Sequence, residues 1–231
     1  MGIEVDVKSK KLPRYAGPLN VEEVSTGIKA AQKNAIRLLE DAKLLFEHAR
    51  FPSATALAIL AIEERGKVNI LKRLAVLEEE AHLREAWRAY RNHRAKNAGW
   101  IIESIVASGA RTMMEMKEAV NPDGEHAALL DNLKQIAFYS DCLGQRNWSE
   151  PENVIDKECA RSTITSAERM WNAREVTRRE LELWVSMVRP HYMKPGMIAA
   201  VTAYQEAMYQ EGLSDTRGAQ LLAFIEGRPE L

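Results

Sequence analysis

The run Ala54-Thr55-Ala56-Leu57-Ala58-Ile59-Leu60-Ala61-Ile62 constrains this chain more than any other stretch. Only Thr55 is polar, and Ala and Leu are strong helix formers. A helix that is apolar all round has no face to offer water, so it belongs in the middle of a helical bundle. The run passes without a break into Glu63-Glu64-Arg65-Gly66-Lys67. Successive residues lie ~100° apart around a helix of ~3.6 residues per turn. Glu63 therefore shares a stripe with Ala56, Ile59, Gly66 and Ile70, and Glu64 shares one with Leu57, Leu60, Ala61, Val68 and Leu71. Three readings are open. The helix emerges into solvent and pairs its charges there, or it carries a buried polar cluster that holds helices in register, or it carries a functional site. Burying an unpaired carboxylate is costly, so both buried readings demand a cation or donors nearby. Lys67 reaches Glu63 at i+4 or Glu64 at i+3. Gly66 weakens a helix by ~1 kcal/mol relative to Ala, and close approach of another helix is a reason to tolerate it.

The rest of the chain supplies partners for that helix. Residues 1–19 are polar and read as an irregular arm, with Asn20 as the cap of a first helix running to about Arg50. Its positions Ile28, Ala31, Ala35, Leu38, Leu39, Ala42, Leu45 and Phe46 step by three and four. Phe51-Pro52-Ser53 breaks it, and Ser53 is the expected cap of the apolar helix, about 53–78. A third helix follows Glu78-Glu79-Glu80 and ends near Ser108-Gly109; the stretch with Met113, Met114 and Met116 reads as helical core. A fourth helix covers about 125–138, an irregular segment 139–156, and one long helix about 157–188, which Pro190 stops. Two short helices near 196–210 and 214–226 read as a tail. No alternating strand pattern, internal repeat or phosphate loop appears. The expected fold is an all-α up-and-down bundle over 20–190, with a helical extension over 191–231.

The third helix carries the most basic stretch: Arg84, Trp87, Arg88, Tyr90, Arg91, Asn92, His93, Arg94, Lys96 and Asn97. Interleaved aromatics and cations suit RNA, and they equally suit a solvated face whose aromatics point inward. Net charge is −1, so no global basic field advertises nucleic acid. Four residues separate Arg88 from His93. Histidine exchanges protons near pH ~6.5, and an arginine beside it can hold a phosphate, which together could cleave RNA through its own 2′-hydroxyl without a metal. In a straight helix those five steps put the two side chains ~140° apart, so they converge only if the helix breaks or a second subunit contributes. His93 and Lys96, at i+3, share a face. His82 and His126, near helix starts, are expected in solvent. The five histidines form no metal-ligand pattern, and no cofactor is expected. Cys142 and Cys159 make no disulfide framework, Met1–Arg14 is no signal peptide, and no stretch reaches the ~20 apolar residues of a membrane span, so the cytoplasm is the expected compartment.

The run from Ala56 to Lys67 resembles the AbiV family, bacterial abortive-infection proteins of the HEPN superfamily, whose apolar helix ends in Glu-Glu-x-Gly-Lys. Tyr90-Arg91-Asn92-His93-Arg94-Ala95-Lys96 resembles its aromatic-x-x-His-x-x-Lys element, and Tyr139-Ser140-Asp141 with Trp148-Ser149-Glu150-Pro151 its later Tyr-x-Asp and Trp-x-x-Pro segment. The resemblance covers roughly residues 28–175. It implies a HEPN-type bundle, often a homodimer, that arrests translation or growth in defence against phage, with RNA and a phage-encoded activator protein as partners. It also implies metal-independent ribonuclease chemistry on an Arg-x4–6-His motif, which Arg88 and His93 match in spacing, although the usual motif lies on a later helix. Glu64, Lys67, His93 and Lys96 carry over as family positions. In the enzymatic version His93 is general acid and base, Arg88 or Lys96 binds the scissile phosphate, and Glu64 with Lys67 orients them. In the alternative the chain is a non-catalytic helical protein that binds a phage or translation component, with Trp148 as anchor.

Overall fold

A computed structural model describes residues 13–100, 113–117, 121–171 and 175–228. Its helices are α1 (Val21–Glu47), α2 (Phe51–Leu74), α3 (Glu80–Arg91), α4 (His93–Asn97), α5 (Glu125–Phe138), α6 (Pro151–Val154), α7 (Lys157–Trp171), α8 (Arg178–Val188), α9 (Met197–Gln210) and α10 (Gly218–Ile225). The fold is all-α, apart from a small antiparallel hairpin of β1 (Asp141–Leu143) and β2 (Asn147–Ser149).

The two ends of α1 show how local sequence sets the elements. Asn20 Oδ1 accepts from Glu23 N at 2.9 Å, and Glu23 Oε2 accepts from Asn20 N at 2.8 Å, a reciprocal cap that satisfies two orphan donors. At the other end Ala49 takes a left-handed conformation (φ 57°) that reverses the chain into α2. Arg50, not Ser53, occupies the cap position of α2, and Pro52 sits in the first turn, where its missing N–H costs nothing.

The apolar helix α2 is the hub. It packs against α1, α3, α4, α5 and α7. Its alanines 54, 56, 58 and 61 are buried, so neighbouring helices come close, while Ile59 and Ile62 fill the space between them. Leu38 and Leu39 of α1, Leu130 of α5, and Ile164 and Ala167 of α7 complete one core around this half of α2. A second core surrounds its lower half, with Val24 and Ile28 of α1, Leu71 and Leu74 of α2, Trp87 of α3 and Leu181 of α8. Each such Leu or Ile contributes ~1.5–3 kcal/mol by leaving water. The helices α8 and α9 pack through Leu183, Val188, Tyr204 and Met208.

Several expected elements differ. The third helix breaks at Asn92, whose backbone is extended (φ −89°, ψ 128°) and whose side chain caps α4 by accepting from Ala95 N at 3.2 Å. The long helix expected over 157–188 is two, because Thr177 is extended and its Oγ1 caps α8 by accepting from Glu180 N at 3.1 Å. The segment 139–156 holds the hairpin and α6, both too short for periodicity to reveal. Met113 and Met114 lie in a turn, 51% and 85% exposed, rather than in the core; the rest of the third helix as expected, from 101 on, lies outside the described residues.

Candidate functional site

The charged step in α2 resolves into two separate groups. Glu63 is only 2% exposed, and its stripe faces α4 and α5. Glu64 lies on the neighbouring stripe, where its Oε1 accepts from Lys67 Nζ at 2.5 Å. The Lys67 ammonium in turn sits 5.2 Å from the centre of the Tyr90 ring. Glu64 and Lys67 thus pair with one another, and no bond joins either to His93 among the described residues.

Glu63 is where three helices meet. Its Oε2 is bonded to His93 Nδ1 at 2.6 Å and lies 3.1 Å from Lys96 Nζ, both from α4. Its Oε1 accepts from Lys134 Nζ of α5 at 2.7 Å, and Lys134 also donates to Asp131 Oδ1 at 2.9 Å. Lys96 and Lys134 are themselves 7% and 6% exposed. Two carboxylates and two ammoniums balance, so the cluster is neutral when His93 is neutral. Burial pushes the Glu63 carboxyl up. The hydrogen bonds from Lys134 and His93, with the charges of Lys96 and Lys134, outweigh burial and hold it below the ordinary carboxylate range.

Gly66 makes this meeting feasible. A Cβ at this position would lie 1.9 Å from the Lys96 carbonyl oxygen and 2.8 Å from its carbon. The backbone of α4 therefore rests directly on α2, one turn beyond Glu63. Starting α4 afresh at Asn92 lets it cross at that point, and its i, i+3 residues His93 and Lys96 both descend onto one carboxylate. The far end of α4 is tied to α5: His126 Nε2 is 2.9 Å from the Ala98 carbonyl oxygen, and Trp100 Nε1 donates to the His126 carbonyl at 3.1 Å. His126 is half-buried in this clasp, not solvated as its place near a helix start suggested.

Because Glu63 is ionised and accepts only, Nδ1 of His93 must carry the proton it donates. In the neutral ring Nε2 is then an acceptor on the opposite edge. The His93 side chain is 52% exposed, and no described residue bonds Nε2. A buried carboxylate that fixes the tautomer and aim of a half-exposed imidazole is an arrangement suited to general base chemistry. Glu63, His93 and Asp131 also bring ligand atoms within 4.8 Å of one another. The Lys134 ammonium already bridges the two carboxylates, so the positive charge a metal would supply is built into the chain.

Arg88 is not part of this group. It is exposed on α3 and lines a separate cleft with Arg14, Arg84, Trp87, Arg91 and Asn92. The site residues that sequence reasoning passed over are Lys134 and Asp131. Their signal was present: Lys134 falls on the same stripe of α5 as the buried Ala127, Leu130 and Ala137, a cation placed where only an internal carboxylate could answer it.

The AbiV family model, a HEPN-type family, matches residues 23–172 and so spans every residue of the Glu63 cluster. The chain belongs to the AbiV family. No curated protein and no solved structure matches it. The family places the chain among abortive-infection-type HEPN proteins, and among the described residues no helix is long and apolar enough to cross a membrane.

Proposed function

We propose that this chain is an abortive-infection effector that arrests translation or growth by metal-independent cleavage of RNA, with His93 as the proton-transfer residue. The observation that carries the reading is the geometry of His93: Nδ1 is held at 2.6 Å by the buried Glu63, and the ring is half exposed. In this role Nε2 takes the proton of an RNA 2′-hydroxyl as its oxygen attacks the adjacent phosphorus. The bond from phosphorus to the 5′ oxygen breaks, leaving a 2′,3′-cyclic phosphate and a 5′-hydroxyl. The leaving oxygen needs a proton from an acid, and the imidazolium form of the same dyad in a second copy, protonated at Nε2 as well, would supply it, which is the argument for a homodimer. Glu63 acts here through His93 as a positioning residue, the part the sequence had suggested for Glu64 and Lys67. Lys96 is occupied in balancing the Glu63 charge, which leaves Arg88 as the phosphate-binding candidate of the original set.

The test is made in cells that express the chain and are challenged with phage. RNA from infected cells should gain ends bearing 2′,3′-cyclic phosphate, and His93→Gln should abolish both those ends and the protection. Protection that survives His93→Gln without cleavage sinks the mechanism. A second reading, a non-catalytic protein that binds a phage or translation component, is favoured by one observation. Trp148 on the hairpin is 73% exposed, and Tyr139, ahead of the hairpin, is 62% exposed. Under that reading Trp148→Ala removes protection and His93→Gln does not.

A further inference from the structure

The cleft around Arg88 is lined by four arginines. Its volume is about 510 Å³, and its lining includes Arg14, Arg84, Arg88 and Arg91 with no carboxylate among them. Among the described residues, Arg84 alone of the four has an acidic partner, the exposed Glu80 one turn back. Arg91 donates to the carbonyls of Trp87 and Tyr15. Arg14 and Arg88 are exposed and make no hydrogen bond or ion pair with any described residue. Three guanidiniums without a counter-charge among the described residues therefore line one cleft in a chain whose net charge is −1.

Three of the four, the paired Arg84 among them, follow one helix. Arg84, Arg88 and Arg91 occupy i, i+4 and i+7 of α3, one face of the helix, about 6 and 10 Å apart along the axis. Arg14 approaches the same face from the segment before α1. That segment is bound in place: Trp87 Nε1 donates to the Gly17 carbonyl at 2.9 Å, and Tyr15 packs edge-on against Trp87 with ring centres 6.0 Å apart. The aromatic side of the helix is thus used up. Trp87 is 8% exposed, with its ring covered by Arg91, and the Asn92 side chain is engaged in capping α4. Among the described residues that line the cleft, the one ring is already covered, and the Asn92 Oδ1 is taken by the cap.

We propose that this cleft is a docking groove for a single strand of nucleic acid, held through successive phosphates and blind to its bases. A stacked strand carries one charge about every 3.4 Å, so a column of this length meets several phosphates, and guanidinium is the side chain best shaped to chelate them. Arg88 is then a docking residue for the substrate strand rather than a partner of His93 in proton transfer. That role rests on the cleavage reading above, but occupancy of the groove does not.

The test measures binding of fluorescently labelled 20-nucleotide oligo-U, oligo-C and oligo-dT to the full chain by anisotropy, over a series of salt concentrations. The three probes should bind alike. Each arginine–phosphate contact contributes ~0.7 to the slope of log affinity against log salt. The double variant Arg14→Ala, Arg88→Ala should lower that slope by ~1.4 and weaken binding about tenfold or more at low salt. Neither side chain is bonded to a described residue, so the variant has no reason to unfold. Lys29→Ala, Lys33→Ala removes the same charge from an exposed face of α1 and should change neither quantity. Absence of binding by the wild-type chain overturns the proposal. So does equal weakening in the two double variants, or a strong preference among the probes. Binding that persists in His93→Gln while no cleavage is found anywhere keeps the groove and discards the ribonuclease.

Discussion

Replacing Gly66 with Ala isolates the contact on which the site is built. In an unobstructed helix Gly→Ala stabilises by ~1 kcal/mol. Gly27, in the middle of α1, offers the comparison: a Cβ there would meet Leu71 methyls at 3.5 Å, which is ordinary contact. At Gly66 the Cβ would fall 1.9 Å from a backbone carbonyl, about 1.5 Å short of such contact. No rotamer change relieves a clash with backbone, so α4 must move away from α2. A shift of that size stretches the 2.6 Å His93 bond and the 3.1 Å Lys96 pair beyond hydrogen-bonding range. Overpacking costs ~1–3 kcal/mol, and each lost bond to a charged group costs ~1.5–3 kcal/mol. The propensity gain of ~1 kcal/mol offsets only part of this. Urea unfolding should therefore find Gly66→Ala less stable than the wild type by ~3 kcal/mol or more, and Gly27→Ala unchanged or more stable by up to ~1 kcal/mol. If Gly66→Ala matches Gly27→Ala, α4 does not rest on α2 and the convergence on Glu63 is wrong.

Other outcomes follow from the same geometry. Lys134→Met should cost ~3 kcal/mol in urea unfolding, because it leaves the buried Glu63 and Asp131 without the ammonium that bridges them; a loss under ~0.5 kcal/mol would contradict that role. The folded Glu63 carboxyl lies below its ordinary value of 4.5, so its stabilising contribution is complete above that value and is lost as pH falls through the lower, folded one. Stability should therefore drop more steeply below about pH 4.5 in the wild type than in Glu63→Gln, and identical acid limbs would refute the assignment. Trp148→Ala should change stability by under ~0.5 kcal/mol, since the ring is 73% exposed; a larger loss would show that the ring packs within the fold.

Much of the bundle was legible because periodicity carries it. The bounds of α1 and α5 follow from apolar steps of three and four, and the Asn20 cap from its own chemistry. The central position of α2 follows from having no polar face. The breaks at Asn92 and Thr177 were hidden because neither Gly nor Pro marks them. Thr177-Arg178-Arg179-Glu180 nonetheless has the Ser/Thr-x-x-Glu form of a helix start, and Asn92 is a residue type that caps. At the site, His93 and Lys96 were legible as a pair on one face, and Gly66 as a place of close approach. Which glutamate they address was not. Glu63 and Glu64 are one ~100° step apart on stripes that look equally apolar. Only the crossing of α4 and the approach of Lys134 distinguish them, and both depend on contacts distant in sequence. Arg88 was linked to His93 by spacing alone, and the break between α3 and α4 assigns it to another cleft.

The claim at the centre of this account is that buried, ionised Glu63 holds His93 with Nδ1 protonated and Nε2 available as a base. Nitrogen-15 NMR of the histidine-labelled chain reads the tautomer directly. The neutral ring of His93 should show a protonated Nδ1 and an unprotonated Nε2, and Glu63→Gln should remove that preference. A neutral His93 with its proton on Nε2, or a tautomer balance that Glu63→Gln leaves unchanged, would contradict the claim.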